Sequence, residues 1–144
     1  MCFSLCLVAL FLQASPPLPQ TMPVIPDQRF VRDLHDKNVD DVLTLYTPDA
    51  IFIDPDGHRY SGPALRKLYE QVTATFDSDL HLKALGITRS DGIAIEHGTY
   101  TETLRNRATG KVQHIRGTYR FTAQVQSDGR CLFKRMLWTQ ASLR

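Results

Sequence analysis

The order of patterns along the chain predicts an α+β fold: helices come first and a meander of long strands follows. Two observations carry this. Apolar residues keep helical spacing over segments between Asp27 and Phe76, and from Leu80 onward they alternate at period two. The alternating runs are separated by Asp91-Gly92, Ala108-Thr109-Gly110 and Asp128-Gly129, all turn chemistry suited to hairpins. That order argues for an antiparallel sheet with helices on one face rather than for alternating βαβ units. With 144 residues there is room for one domain, and 42% hydrophobic against 22% charged residues excludes global disorder.

The chain opens on Phe3–Leu12, a nearly unbroken apolar run too short to span a bilayer. Residues 1–15 are expected to be a secretory signal peptide with a cut near Ala14 or Ser15, which makes the mature protein secreted or periplasmic. No Lys or Arg precedes the run, and Leu12 suits the cut poorly. The alternative is a true start at Met22 and a cytoplasmic protein. Residues 16–26 hold five of the eight prolines and read as an extended linker, leaving 27–144 as the domain.

Asp27 is placed to cap a first helix with Phe30, Val31 and Leu34 on one face. Asn38 caps a second, with Asp41 three residues on and Val39, Val42, Leu43 and Tyr46 in helical register; Thr47-Pro48-Asp49 ends it. Ala50–Asp54 alternates as a strand before the turn Pro55-Asp56-Gly57. Pro63 opens a third helix whose stripe is Leu65, Leu68, Tyr69, Val72 and Phe76. Four strands then fit at about 80–89, 93–105, 111–126 and 130–140. In the third of these, Ile115, Gly117, Tyr119, Phe121, Ala123 and Val125 share one face, and His114, Arg116, Thr118, Arg120, Thr122 and Gln124 the other. A long bent sheet around a helix pair leaves a hollow where a small ligand fits.

Several function classes are excluded. With 17 Lys+Arg against 15 Asp+Glu, the net charge of +2 supplies no basic stripe for nucleic acid. Three Cys make no disulfide framework, and once 1–15 is removed only Cys131 remains, far from any His that would activate it. His35, His58, His81, His97 and His114 form no metal-ligand spacing, although His58 lies near enough to Asp54 to reach the mouth of a pocket. There is no phosphate-binding Gly loop and no nucleophile elbow. No cofactor, metal or membrane span is expected.

The segment "DKNVDDVLTLYTPDAIFIDPDG", the Gly-Pro-started helix and the late "FKRMLWTQ" resemble the nuclear-transport-factor-like superfamily, more narrowly its SnoaL-like and ketosteroid-isomerase-like branch. The likeness spans about residues 27–140; Leu45–Ala50 leading into Asp54-Pro55, then Ala94–Tyr100, and Trp138 are its most specific pieces. It implies a cone: three N-terminal helices on a strongly curved, mainly antiparallel sheet that encloses a pocket. It also implies that Asp54, which alternation points inward, sits where the isomerase-like family carries its general base. In ketosteroid isomerase that base works with an oxyanion hole of Tyr and protonated Asp. Here those donors fall on Phe30 and near Gly117, neither of which can donate from a side chain. Asp54 is equally suited to organising its own turn.

Glu96 shares a face with Ala94, Gly98 and Tyr100, the face the resemblance gives to the hollow; it is a partner acid for Asp54 or, alternatively, a Glu paired with Lys134 or an Arg, or one on the wet rim. Phe30, Phe52, Tyr69, Tyr100, Tyr119, Met136 and Trp138 are the expected pocket wall, although a Tyr with a satisfied hydroxyl or a Met beside a Trp is equally a core residue. Three functions follow as expectations: a binding domain for a small apolar or amphipathic molecule, centred on Asp54; an acid/base isomerase, cyclase or dehydratase acting on a polyketide- or steroid-like carbonyl compound; or an association module without ligand. The resemblance implies a homodimer through the outer sheet face, where His114, Arg116, Arg120 and Arg135 alternate with Thr. That pattern is also a normal solvated face.

Overall fold

The computed structural model describes residues 24–141. The expected signal segment 1–15 and most of the linker lie outside the described residues. Six strands form one sheet in the order β2-β1-β6-β5-β4-β3. They are β1 (Tyr46–Ile53), β2 (Arg59–Tyr60), β3 (Phe76–Ser90), β4 (Ile93–Asn106), β5 (Val112–Val125) and β6 (Cys131–Trp138), with helices α1 (Asp27–His35), α2 (Val39–Thr44) and α3 (Pro63–Thr75). The α+β class and the long meander stand. The sheet is mixed, because β1 runs parallel to β6, and α3 follows β1 and β2 rather than preceding the strands.

Local chemistry accounts for most boundaries. Asp27 is the first helical residue and Pro26 takes the cap position, so Asp27 serves the exposed first turn by accepting from Gln28 N at 2.7 Å. Asn38 does cap α2, accepting from Asp41 N at 3.3 Å. That helix stops at Thr44, earlier than Thr47-Pro48-Asp49, because β1 already pairs with β6 from Tyr46. Phe76 begins β3 opposite Asn106 and does not extend the stripe of α3; its backbone is extended, and strand pairing overrides the helical spacing. Asp91 and Gly92 both take positive φ, 49° and 76°, which makes the two-residue primed turn that joins β3 to β4.

The inner row of β4 is Ala94, Glu96, Gly98, Tyr100, Glu102 and Leu104; its first four members are buried. In β5, Tyr119, Phe121 and Ala123 are buried, and His114, Arg116 and Arg120 are exposed on the other face, as is Arg135 on β6. α1 lies across this inner face. Phe30 is 1% exposed and meets the rings of Tyr69, Phe121, Phe133 and Trp138 at centroid distances of 5.9–6.4 Å. One ring so enclosed contributes about 1.5–3 kcal/mol by burial.

Curvature enters at irregularities in the ladders. The β3–β4 register shifts between Ala84 and Gly86, and the β5–β6 register between Thr122 and Ala123. At Gly98 a Cβ would stand 2.1 Å from Lys83 O, so only glycine lets β3 come this close.

Candidate functional site

A cavity of about 230 Å³ opens where α1 and α3 leave the sheet. Its wall is mostly apolar: Phe30 and Leu34 from α1, Leu68, Tyr69 and Val72 from α3, Phe52 from β1, Trp138 from β6. Two carboxyl groups interrupt it, Asp54 and Glu102. Their surroundings push them in opposite directions.

Asp54 follows the end of β1, at the solvent edge, with its side chain 20% exposed. Its Oδ1 accepts from Asp56 N and His58 N, both at 2.9 Å, and Oδ2 stands 3.2 Å from His58 Nδ1. Tyr60 Oη donates to Oδ2 at 3.3 Å. Burial alone would raise the pKa of this carboxyl, but the donors from His58 and Asp56 outweigh it and hold it below its ordinary value. Asp54 is therefore an anion bound into its own turn, which makes it a weak base at neutral pH. Asp54, Asp56 and His58 bring one ligand atom each within 4.8 Å of one another. The hydrogen bonds of the turn explain that convergence.

Glu102 sits on the cavity wall from β4, two residues past Tyr100 on the same inner row. Burial raises its pKa, and the 2.6 Å hydrogen bond donated by Ser78 Oγ to Oε1 offsets this only in part. A carboxyl in an apolar wall holds its proton more firmly than one in water. The alternation that marked Glu96 reaches Glu102 too, so the signal for it was present in the sequence.

Phe30, Phe52, Tyr69, Trp138 and Asp54 meet at the cavity, whereas Glu96, Tyr100, Tyr119 and Met136 do not line it. Glu96 is 2% exposed and lies under the N-terminal end of α1, beside Asp27, where it accepts from Tyr119 Oη at 2.8 Å. It faces inward as alternation requires, but α1 separates that end of the sheet from the cavity. Burial raises its pKa; the Tyr119 hydroxyl opposes this and Asp27 reinforces it. Tyr100 Oη donates to Thr139 O at 2.9 Å, and burial raises its pKa to about 12. The Tyr69 hydroxyl is hydrogen-bonded to that of Tyr46, which reaches Met136 Sδ at 2.9 Å. All three expected tyrosine hydroxyls are thus engaged by the protein.

Two further details concern the packing beside the cavity. Trp138 is 7% exposed, and its buried Nε1 has no hydrogen-bond partner among the described residues. At Gly117 a Cβ would stand 1.9 Å from Thr139 O and 2.9 Å from Tyr100 Cε1, so no side chain fits there.

The sequence profile of the SnoaL-like domain matches residues 28–132. No curated protein matches the chain. Among solved structures, a ketosteroid isomerase-like protein from Erwinia carotovora atroseptica superposes with a TM-score of 0.73 at 20% identity, covering 83% of this chain and 95% of the other. A nuclear transport factor 2-like superfamily protein from Salmonella enterica serovar Typhimurium gives 0.69 at 16%, covering 81% and 87%. A candidate scytalone dehydratase from Novosphingobium aromaticivorans gives 0.70 at 18%, covering 82% and 84%. At such identities these likenesses establish the fold alone.

Proposed function

The chain belongs to the SnoaL-like family, and from that premise we propose that it is a small-molecule-binding domain whose ligand occupies the cavity between Asp54 and Trp138. The single observation that carries this reading is the cavity itself: about 230 Å³ of space walled by apolar side chains, with an ionised carboxylate at its edge. Its size falls below the ~300–1,000 Å³ typical of drug-sized ligands, so a molecule of one or two rings fits. The anionic edge disfavours ligands that carry a negative charge. Open space in this position speaks against a domain that fills its hollow with its own side chains.

The chain has one tryptophan, Trp138, and it lies in the cavity wall. Titration with neutral one- and two-ring aromatic compounds is expected to change its emission saturably. Val72→Phe, which fills the cavity from α3, should abolish that change while leaving the circular dichroism intact. Equal responses from the two proteins, or none across such a panel, would overturn the reading.

A second reading is proton transfer. It is favoured by Asp54 and Glu102 lining one cavity with their pKa values moved apart, the condition under which one carboxyl accepts a proton and another donates one. Export and homodimerisation remain proposals of their own. The apolar run Phe3–Leu12 supports the first, tested by the mass of the mature N-terminus. The exposed Arg116 and Arg120 on the outer sheet face support the second, tested by whether their reversal to Glu splits an oligomer.

A further inference from the structure

We propose that the outer face of the sheet, centred on Lys83, Arg116, Arg120 and Arg135, docks onto an anionic lipid bilayer, with Leu85 at its edge entering the headgroup region. This face lies on the opposite side of the sheet from the cavity and owes nothing to what the cavity binds.

The first observation is a charge asymmetry that the net charge of +2 conceals. Of the 15 Asp and Glu, ten lie on helices and turns, and Glu96 and Glu102 take the inner row of β4. Only Asp49, Asp77 and Asp79 are left to the outer side of the strands, and each is already engaged: Asp49 by Thr47 Oγ1 at 2.8 Å, Asp77 by Lys37 Nζ, Asp79 by His81 Nε2 at 3.0 Å. Lys83, Arg116, Arg120 and Arg135 are exposed, and none of them has an ion-pair partner among the described residues.

Register puts the four on one side of the sheet. Lys83 stands opposite Thr99, Thr99 opposite Thr118, and Thr118 lies midway between Arg116 and Arg120. Arg135 is opposite Thr122, the next outward residue after Arg120. His97 is directly opposite Arg120, where an acid would be the stabilising cross-strand partner. Arg116 and Arg120 are four residues apart on β5, about 13 Å at the usual strand rise. Cations spread from β3 to β6 in this way match an extended anionic surface rather than a single anion. A second copy seated on the same face would bring cations against cations.

The second observation selects the kind of surface. Leu85 is 60% exposed on β3, the edge strand. It is the extra residue of the bulge, between Ala84 opposite Gly98 and Gly86 opposite His97, and two residues from Lys83. An exposed apolar side chain beside a field of Lys and Arg suits lipid: the hydrocarbon enters the acyl boundary while the cations stay at the level of the phosphates. Nucleic acid is drawn by the same charges but offers nothing to Leu85. Among the described residues every aromatic side chain on a strand takes the inner side, so no ring on this face can stack on a base.

The test uses the full chain and vesicles of phosphatidylcholine, alone or with about a third phosphatidylserine, read by co-sedimentation. The apolar run Phe3–Leu12 is common to every protein compared, so the difference between vesicle types and between variants isolates the face. Each Lys or Arg brought to an anionic leaflet raises affinity about fivefold. Wild type is therefore expected to bind the anionic vesicles at least tenfold more tightly than the neutral ones, and less tightly as salt rises. Arg116→Glu combined with Arg120→Glu should lose at least about twenty-fold on anionic vesicles, with neutral vesicles and circular dichroism unaffected. Leu85→Ser should lose about tenfold without changing the salt dependence. Equal binding to the two vesicle types overturns the inference. A DNA duplex of about 20 base pairs that binds as tightly as the anionic vesicles, and equally to wild type and Leu85→Ser, also overturns it and gives the face to a nucleic-acid backbone. A wild-type dimer in sedimentation velocity that the doubly reversed protein loses overturns it in favour of a second copy.

Discussion

Tyr119 Oη donates a 2.8 Å hydrogen bond to Glu96 Oε1 beneath the N-terminal end of α1, where both side chains are no more than 2% exposed. The bond ties β5 to β4 at adjacent inner positions and brings a carboxyl into the core beside Asp27. Burial raises the Glu96 pKa, so the folded state binds its proton more tightly than the unfolded chain does. That contribution to stability is complete below the unfolded carboxyl pKa, about 4.3, and is lost as pH rises through the higher folded value. Glu96→Gln keeps an acceptor for Tyr119 and removes the charge. It should raise the melting temperature at neutral pH and flatten the fall in stability as pH rises above the unfolded carboxyl pKa. Glu96→Leu strands the Tyr119 hydroxyl and should cost about 1–3 kcal/mol at low pH. Chemical denaturation at several pH values reads both.

Asp54 shows the opposite sign. Its folded pKa is depressed, so its contribution is present above the unfolded carboxyl pKa, about 3.9, and is lost as pH falls through that value towards the folded one. Asp54→Asn retains an oxygen for the Asp56 and His58 N–H groups, and the turn should survive with a loss of about 1 kcal/mol or less. Asp54→Ala removes that acceptor and should cost more. Neutral ligands should bind Asp54→Asn within about threefold of wild type, as expected for a carboxylate that organises a turn at the cavity edge. If proton transfer is the function, the same substitution abolishes turnover of the substrate while the melting curve hardly moves, and that pair of measurements separates the two readings.

The strand meander was legible because its information is local: alternation places Tyr119, Phe121 and Ala123 on one face, and Asp91-Gly92 requires a primed turn. The first half was less so. Phe76 stands four residues after Val72 and mimics the next helical position, while its extended state follows from pairing with Asn106, a partner 30 residues away by number. The parallel register of β1 on β6 is longer-range still. The candidate site divides the same way. Asp54 is visible from its strand end and turn. Alternation puts Glu96 and Glu102 on one row, but only the path of α1 across the sheet decides which of them is covered and which lines the cavity. The unpartnered Nε1 of Trp138 has no sequence signal, since it depends on what is missing around it.

Gly117, in the interior strand β5, is held by the backbone that runs on from β6 past Trp138. Thr139 N donates to Thr118 O at 2.9 Å, and Ala141 N to Arg116 O at 2.8 Å, which sets the Thr139 carbonyl against Gly117. An alanine Cβ there, 1.9 Å from that oxygen, must displace the 139–141 segment and break the Tyr100–Thr139 bond. Gly117→Ala should therefore cost about 1–3 kcal/mol or more. The control is Gly129→Ala, where φ is +86° and no atom lies within 4 Å. It meets only the left-handed backbone penalty, about 1–2 kcal/mol. Hydrogen exchange separates them: the first should expose amides of residues 139–141, the second only those of the β5–β6 turn.

Tyr69, Tyr46 and Met136 form a chain with one direction that uses every proton. If Tyr46 donates to Met136 Sδ, at 2.9 Å, then Tyr69 must donate to Tyr46. The two hydroxyls are then unequal. Tyr69→Phe removes the end donor and leaves Tyr46 its sulfur acceptor, so the loss should be about 0.5–1.5 kcal/mol. Tyr46→Phe removes the middle, strands the Tyr69 hydroxyl in a side chain 4% exposed, and should cost more, about 1–3 kcal/mol. The double substitution removes both groups and leaves no stranded polar atom. It should cost less than the two single changes added together, and no more than Tyr46→Phe alone. Denaturation midpoints for the four proteins of this cycle give the coupling directly. Strict additivity would mean that the hydroxyls do not depend on one another, and that Tyr69 turns its O–H into the cavity instead.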